Sequence, residues 1–340
     1  MLRRLRKYGG GARGVVTLMT SSAPLVIVGG LLYAGLFVKA EAVVQKVEPP
    51  AIERRDTFYG VAAPDNRVVW AVGAGGKIVR SEDGGDSWVR QASNTEVNLQ
   101  GIAAWDSDNA MVVGNDDVVL VTNDAGRSWT RAEIPATNNP NKLFRVRIAD
   151  ETAWAVGEFG AVLRSTDHGA TWSRVLPEED RAWNDITFVG NAGWLVGEFG
   201  ALMRTADGGV TWETVATPNK VSLMSVAFRD AEHGVAVGLA GTLLVTANGG
   251  VSWRQVPAFT REHLYTVTWD DSRWLAVGDK GVMATTDAAA EQWQLGRVAE
   301  GDVSWRTQIA RAGTRYFLAG SNLAVLDDNG ALSVAGHKRM

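Results

Sequence analysis

Two groupings in this 340-residue sequence carry side chains suited to chemistry. Phe144-Arg145-Val146-Arg147 brings two guanidinium groups close together, the kind of cluster that grips a carboxylate. Glu262 and Tyr265 are the one close carboxylate–phenol pair within the repeat region; a glycosidase with a tyrosine nucleophile would need such a pair, an arginine cluster and an aspartic acid. The plainer reading of Glu262 and Tyr265 is a loop charge beside a core aromatic. His168, His233, His263 and His337 show no ligand spacing, and cysteine is absent. A metal site, a cysteine nucleophile and a disulfide scaffold are therefore not expected. Gly-rich strings such as Gly73-Ala-Gly-Gly76 lie between strands with no helix after them, so they read as hairpin turns and not as phosphate loops. No cofactor is implied.

The elements that position these residues recur. Ser81-x-Asp83-x-Gly85-x-Ser87-Trp88 returns at Thr122-x-Asp124-x-Gly126-x-Ser128-Trp129 and at Ser165-x-Asp167-x-Gly169-x-Thr171-Trp172. Two further copies are Thr205-x-Asp207-x-Gly209-x-Thr211-Trp212 and Thr246-x-Asn248-x-Gly250-x-Ser252-Trp253. A sixth, from Thr285 and Asp287 to Trp293, lacks the Gly and reads one residue too long; a seventh keeps Asp327, Asp328 and Gly330. The Asp/Asn positions from 83 to 287 are separated by 41, 43, 40, 41 and 39 residues. A period near forty with four short strands per unit predicts propeller blades. Second strands ending in Gly73, Gly114, Gly157, Gly197, Gly238, Gly278 and Gly320 make seven, with the fourth strand of a unit beginning at its box Trp. Fold class is thus all-β, a seven-bladed propeller over 57–335, with ring closure left open. Within each box the Asp accepts from backbone N–H groups of its own turn, Gly permits the bend, and Trp packs between blades. The fourteen Trp, on repeat strands, at strand ends or in boxes, are explained as packing.

The net charge of −4 divides into +6 over residues 1–40 and −10 over the remainder. An acidic body excludes a nucleic-acid footprint. After the basic segment 1–13, the uncharged run Gly14–Val38 is long enough, at roughly 36 Å as a helix, to cross a hydrocarbon core. Residues 14–39 are expected to form a transmembrane anchor or uncleaved signal. The charge bias places the N-terminus in the cytoplasm and the propeller in the periplasm. Ala40-Glu41-Ala42 offers the alternative of signal cleavage. Residues 40–56 read as a linker and 336–340 as a tail.

This repeat, the Asp-box or BNR repeat, occurs in sialidases and in unrelated propellers, so it indicates a fold and not a reaction. The accompanying strings Trp70-Ala-Val-Gly73-Ala-Gly-Gly76, Trp154-Ala-Val-Gly157-Glu-Phe-Gly160 and Trp194-Leu-Val-Gly197-Glu-Phe-Gly200 resemble the photosystem II stability/assembly factor family. The resemblance, in the version found in non-photosynthetic bacteria, spans Thr57 to about Val334. It implies a non-enzymatic scaffold, an assembly or accessory subunit of an inner-membrane complex such as a resistance-nodulation-division (RND) type transporter. Of the family's arginine-rich inner-strand patch, only Arg145 and Arg147 carry over; no lipobox Cys is present. In a propeller, the loops before inner strands and the turns between second and third strands share one face. Phe144, Arg145, Arg147, Arg181, Trp183 and Asn184 should therefore gather near Glu158-Phe159 and Glu198-Phe199, aromatic groups ringed by charge as at protein interfaces. The competing reading has Phe159 and Phe199 plugging their turns, Glu158 and Glu198 solvated, and the arginines paired with those glutamates. The enzymatic alternative is a sialidase-like glycoside hydrolase, and a third a glycan- or lipid-binding propeller.

Overall fold

The computed structural model describes residues 24–33, 35, 36, 49–137, 140–327 and 329–336. The chain divides into two compact units between Pro49 and Pro50. In the first, residues 24–33 and 35–36 are helical, with Leu25, Val26, Leu31 and Leu36 exposed. No helix among the described residues is long and apolar enough to cross a membrane. The basic segment and much of the expected anchor and linker (1–23, 34, 37–48), like 337–340 of the tail, lie outside the described residues.

The second unit consists of seven four-stranded antiparallel sheets, each built from consecutive strands among the described residues. The blades run Phe58–Gln91, Leu99–Arg131, Leu143–Arg174, Trp183–Thr214, Leu223–Gln255, Leu264–Arg297 and Arg306–Val334. Each inner strand packs on the next, and that of blade 7 on that of blade 1. Ring closure thus exchanges no strand. It rests on Gln308 Oε1 accepting from Val61 N (3.2 Å), Thr307 Oγ1 donating to Tyr59 O (3.1 Å) and an Arg315–Asp86 ion pair (2.6 Å).

Second strands such as Val69–Gly73 and Ala110–Gly114 are buried on both faces, between neighbouring blades, which is why they read as unbroken apolar runs. The core is accordingly seven clusters, one at each blade-to-blade seam. The Gly that ends each second strand is required by close approach. A Cβ at Gly73 would lie 1.9 Å from Thr57 O, and one at Gly278 would lie 1.8 Å from His263 O. Fourth strands start one residue later than expected, just past the box Trp, at Val89, Thr130, Ser173, Glu213 and Arg254.

The boxes form as their chemistry dictates. In blade 2, Asp124 Oδ1 accepts from Thr122 Oγ1 (2.8 Å) and Ser128 N (3.0 Å), Oδ2 accepts from Ser128 Oγ (2.6 Å), and Gly126 N donates to Thr122 Oγ1 (2.9 Å). Blades 1, 3 and 4 repeat this around Asp83, Asp167 and Asp207. The sixth box corrects the sequence reading. Trp274 pairs with Thr286 as Gly234 pairs with Thr246, so Thr286, not Thr285, opens the box and Trp293 falls in register. Nothing is inserted; Ala288 and Ala290 stand at the Asp and Gly positions, and Thr286 Oγ1 donates to Gln292 O (2.7 Å). Asp328 of the seventh copy lies outside the described residues.

Hydroxyl and backbone donors hold Asp124, Asp167 and Asp207 at about 2, below the usual carboxylate value of 3.8. Being lower in the folded chain, these groups stabilise it above pH 3.8, and that contribution disappears as pH falls through about 2. Blade 5 has the amide Asn248, whose Nδ2 instead donates to Ser252 Oγ (2.9 Å). Asn248→Asp is expected to raise the unfolding temperature at pH 7 and to forfeit that gain in acid, as thermal melts across pH 2–7 would show.

Candidate functional site

Six inner strands bulge near their start, and in blade 3 the same offset appears as a register shift at Gly157. The residue next in register is Gly60, Gly101, Arg145, Asp185, Ser225, Thr266 or Gln308, one per blade and all buried. Where this side chain is an acceptor it ties its blade to the next. Asp185 Oδ2 accepts from Val226 N (3.3 Å), and Ser225 Oγ accepts from Val267 N (3.3 Å).

Arg145 and Arg147 meet Asp185, not the glutamates of the turns. Arg147 is bidentate to the Asp185 carboxylate (3.1 and 3.0 Å), Arg145 Nε lies 3.6 Å from it, and Ser225 Oγ donates to it (2.8 Å). Arg145 Nη2 approaches Thr307 O (3.5 Å), across the arc where blades 1 and 2 carry Gly60 and Gly101. Burial would push the Asp185 carboxyl up, but Arg147 and Arg145 hold it below the usual range. Burial pulls the Arg145 guanidinium down to about 10 against the attraction of Asp185. Two cations thus share one anion, and Arg145 Nε has no hydrogen-bond partner.

The turns between second and third strands of blades 1 to 6 put two consecutive residues in the left-handed region, the second a glycine except in blade 2; the first is Gly75 in blade 1, Asp116 in blade 2, Phe159 and Phe199 in blades 3 and 4, and Ala240 and Lys280 in blades 5 and 6. Phe199 (φ 57°) is 63% exposed and Phe159 (φ 51°) 42% exposed, so neither plugs its turn. Glu158 and Glu198 are not simply solvated. Their carboxylates accept from Lys142 N (3.2 Å) and Ala182 N (2.9 Å), fixing the segments that lead into the inner strands. A non-glycine side chain in this region costs roughly 1–2 kcal/mol, and an exposed ring recovers little of it. Phe199→Gly is therefore expected to leave the fold intact and raise its stability by up to about 1 kcal/mol, allowing for glycine's entropy. Urea unfolding checks this; destabilisation of the size of a core truncation would assign Phe199 to the fold.

Around these turns, Lys142 Nζ lies over the half-buried Phe144 ring (5.3 Å), and Arg181 over Trp183 (5.7 Å). Trp183 is 1% exposed and belongs to the core, so it supports Arg181 and offers no contact surface of its own. Asn184 is also buried, donating to Leu223 O (2.8 Å). The accessible part of the expected patch is Phe159 and Phe199, with half-buried Phe144, Arg147, Glu158, Arg181 and Glu198; Arg145 and Trp183 are buried.

Asp185 was not anticipated, although Arg145, Asp185 and Ser225 are spaced by forty residues, the repeat period that stacks them. A second set of turn aspartates lies outside the box pattern. Asp65, Asp106, Asp230 and Asp270 each accept from the N–H groups two and three residues on, closing the first hairpin of blades 1, 2, 5 and 6. Glu262 pairs with Lys280 (3.0 Å) rather than with Tyr265. The phenol that meets a carboxylate is Tyr316, donating to Asp270 (2.5 Å), and burial pushes its ionisation up, away from a nucleophilic phenolate. Among the described residues no carboxylate and histidine group suits a metal ion.

The sequence pattern of the family described as "Photosynthesis system II assembly factor YCF48" matches residues 91–180, 176–258 and 211–300. Among curated proteins no sequence matches. A solved YCF48 bound to a D1 peptide superposes with TM-score 0.64 at 16% identity, covering 78% of this chain and 89% of that one. YCF48 from Cyanidioschyzon merolae gives 0.65 at 17% identity, over 82% and 96%. The GH74 xyloglucanase from Xanthomonas campestris gives 0.67 at 16% identity, over 82% of this chain and 53% of that one. At these identities the solved structures share the fold.

Proposed function

The chain belongs to the photosynthesis system II assembly factor YCF48 family, and from that premise we propose that it is a non-enzymatic scaffold whose phenylalanine-bearing face binds a membrane-protein client. The carrying observation is the pair Phe159 and Phe199, exposed aromatic side chains at the same turn position of neighbouring blades. The left-handed backbone belongs to the turn, since Ala240 and Lys280 share it in blades 5 and 6; what distinguishes blades 3 and 4 is an exposed aromatic ring at that position. Aromatic groups with a rim of charge are what a protein interface requires, and Arg147 and Arg181 supply that rim. The solved YCF48 with a D1 peptide gives a relative that holds a polypeptide.

The client we infer is a subunit of an inner-membrane complex, of RND-transporter type, with the propeller in the periplasm. The exposed apolar side chains of the helical residues 24–33 and 35–36, inside the uncharged run 14–38, support an anchor of residues 14–39 in the bilayer. Anchoring confines the propeller beside its client and raises their effective concentration. Removing residues 1–49 is therefore expected to lower client association by about a hundredfold while leaving propeller unfolding unchanged. Recovery of the same client at equal yield by the truncated chain would exclude the anchored reading.

A further inference from the structure

At the opposite end of the inner strands, the first hairpins of blades 6, 7 and 1 enclose a polar bowl of about 460 Å³. Its groups are fixed before any ligand arrives. Arg311 Nε donates to Gly313 O (2.9 Å) and its Nη1 to Asp270 O (2.6 Å), while Asn66 Oδ1 accepts from Gly313 N (2.9 Å). The Trp269 indole is steadied by Arg229 (5.8 Å) and by Trp274 (5.2 Å). Asp270 is fully engaged by Tyr316, Ser272 and Arg273.

The uncommitted groups of the bowl include two donors, Arg311 Nη2 and Asn66 Nδ2, and an acceptor, the Asp271 carboxylate, all three on exposed residues. Of the charged groups lining the bowl, Asp270 is already paired with Arg273 (3.3 Å), which leaves one carboxylate, Asp271, against one guanidinium, Arg311, and no excess charge with which to hold an ion. Fixed donors and an acceptor beside a half-buried indole match a ligand whose neighbouring hydroxyls both donate and accept and whose C–H face is apolar. The volume is that of a small-molecule site. We propose that this bowl binds a neutral saccharide unit.

The test is titration of the full chain, in a sugar-free zwitterionic detergent, with glucose, galactose and N-acetylglucosamine, read by ligand-observed NMR and tryptophan emission. Saturable binding of at least one sugar is expected. Asn66→Asp keeps the acceptor for Gly313 N and deletes the donor, so it should weaken binding about tenfold with unchanged melting. Asp271→Gly, which suits that residue's left-handed backbone (φ 71°), removes the acceptor and serves as the second variant. Loss in either variant supports the proposal. Absence of saturable binding by all three sugars, or binding that neither variant alters, overturns it.

Discussion

Asp185→Ala is expected to destabilise the propeller by about 3–5 kcal/mol, because it strands two guanidinium groups in and beside the buried ring of inner-strand residues. The same change removes the acceptor for Ser225 Oγ, Ile186 N and Val226 N, so the seam between blades 4 and 5 loses its tie as well. The pair is not itself evidence of great net stability, since desolvation offsets much of the attraction. Replacing Arg145, Arg147 and Asp185 together by apolar residues should accordingly recover most of the loss. Equilibrium urea unfolding of the single and triple variants separates the two effects. Near-wild-type stability of Asp185→Ala would mean the arginines find water or other acceptors.

The second large effect lies at the box glycines. A Cβ on Gly209 (φ 82°) would stand 2.3 Å from Cη2 of Trp154 in the preceding blade, and one on Gly250 would stand 2.4 Å from Trp194 Nε1. Gly209→Ala therefore combines left-handed strain with overpacking against a rigid ring, a loss of about 3 kcal/mol. The molecule contains its own control. Ala290 occupies the box glycine position of blade 6, with φ 55°, and the blade 5 residue equivalent to Trp154 and Trp194 is Val235, in the same core cluster. Ala290→Gly should change stability by less than about 1 kcal/mol. In a Trp154→Val background, the steric part of the Gly209→Ala penalty should vanish, which a double-mutant cycle measures directly.

Local chemistry made the fold legible. Box residues act within eight positions of one another, so Asp124 and Ser128 betray their turn without any tertiary contact. The glycines ending the second strands were visible for the same reason, although their cause, a carbonyl of the segment before the inner strand, emerges only in three dimensions. Where a box has decayed its register is no longer legible: Asp287 stands one residue before the Asp position, which Ala288 occupies, and the Trp274–Thr286 pairing fixes the frame. The candidate site was legible as a location and not as a set of contacts. Glu158 and Phe159 are neighbours in sequence, yet Glu158 turns back to the backbone while Phe159 faces outward. Arg147 and Asp185 are thirty-eight residues apart, so their pairing depends on how two blades abut.

Affinity purification from detergent-solubilised membranes, comparing the full chain with its Phe159→Gly/Phe199→Gly variant and identifying co-purifying proteins by mass spectrometry, tests the binding role most directly. We expect the native chain to bring down a stoichiometric polytopic membrane protein and the variant, at least as stable, to lose it. A native chain recovered alone, or a partner held equally well by the variant, would contradict the assignment of this face to a client.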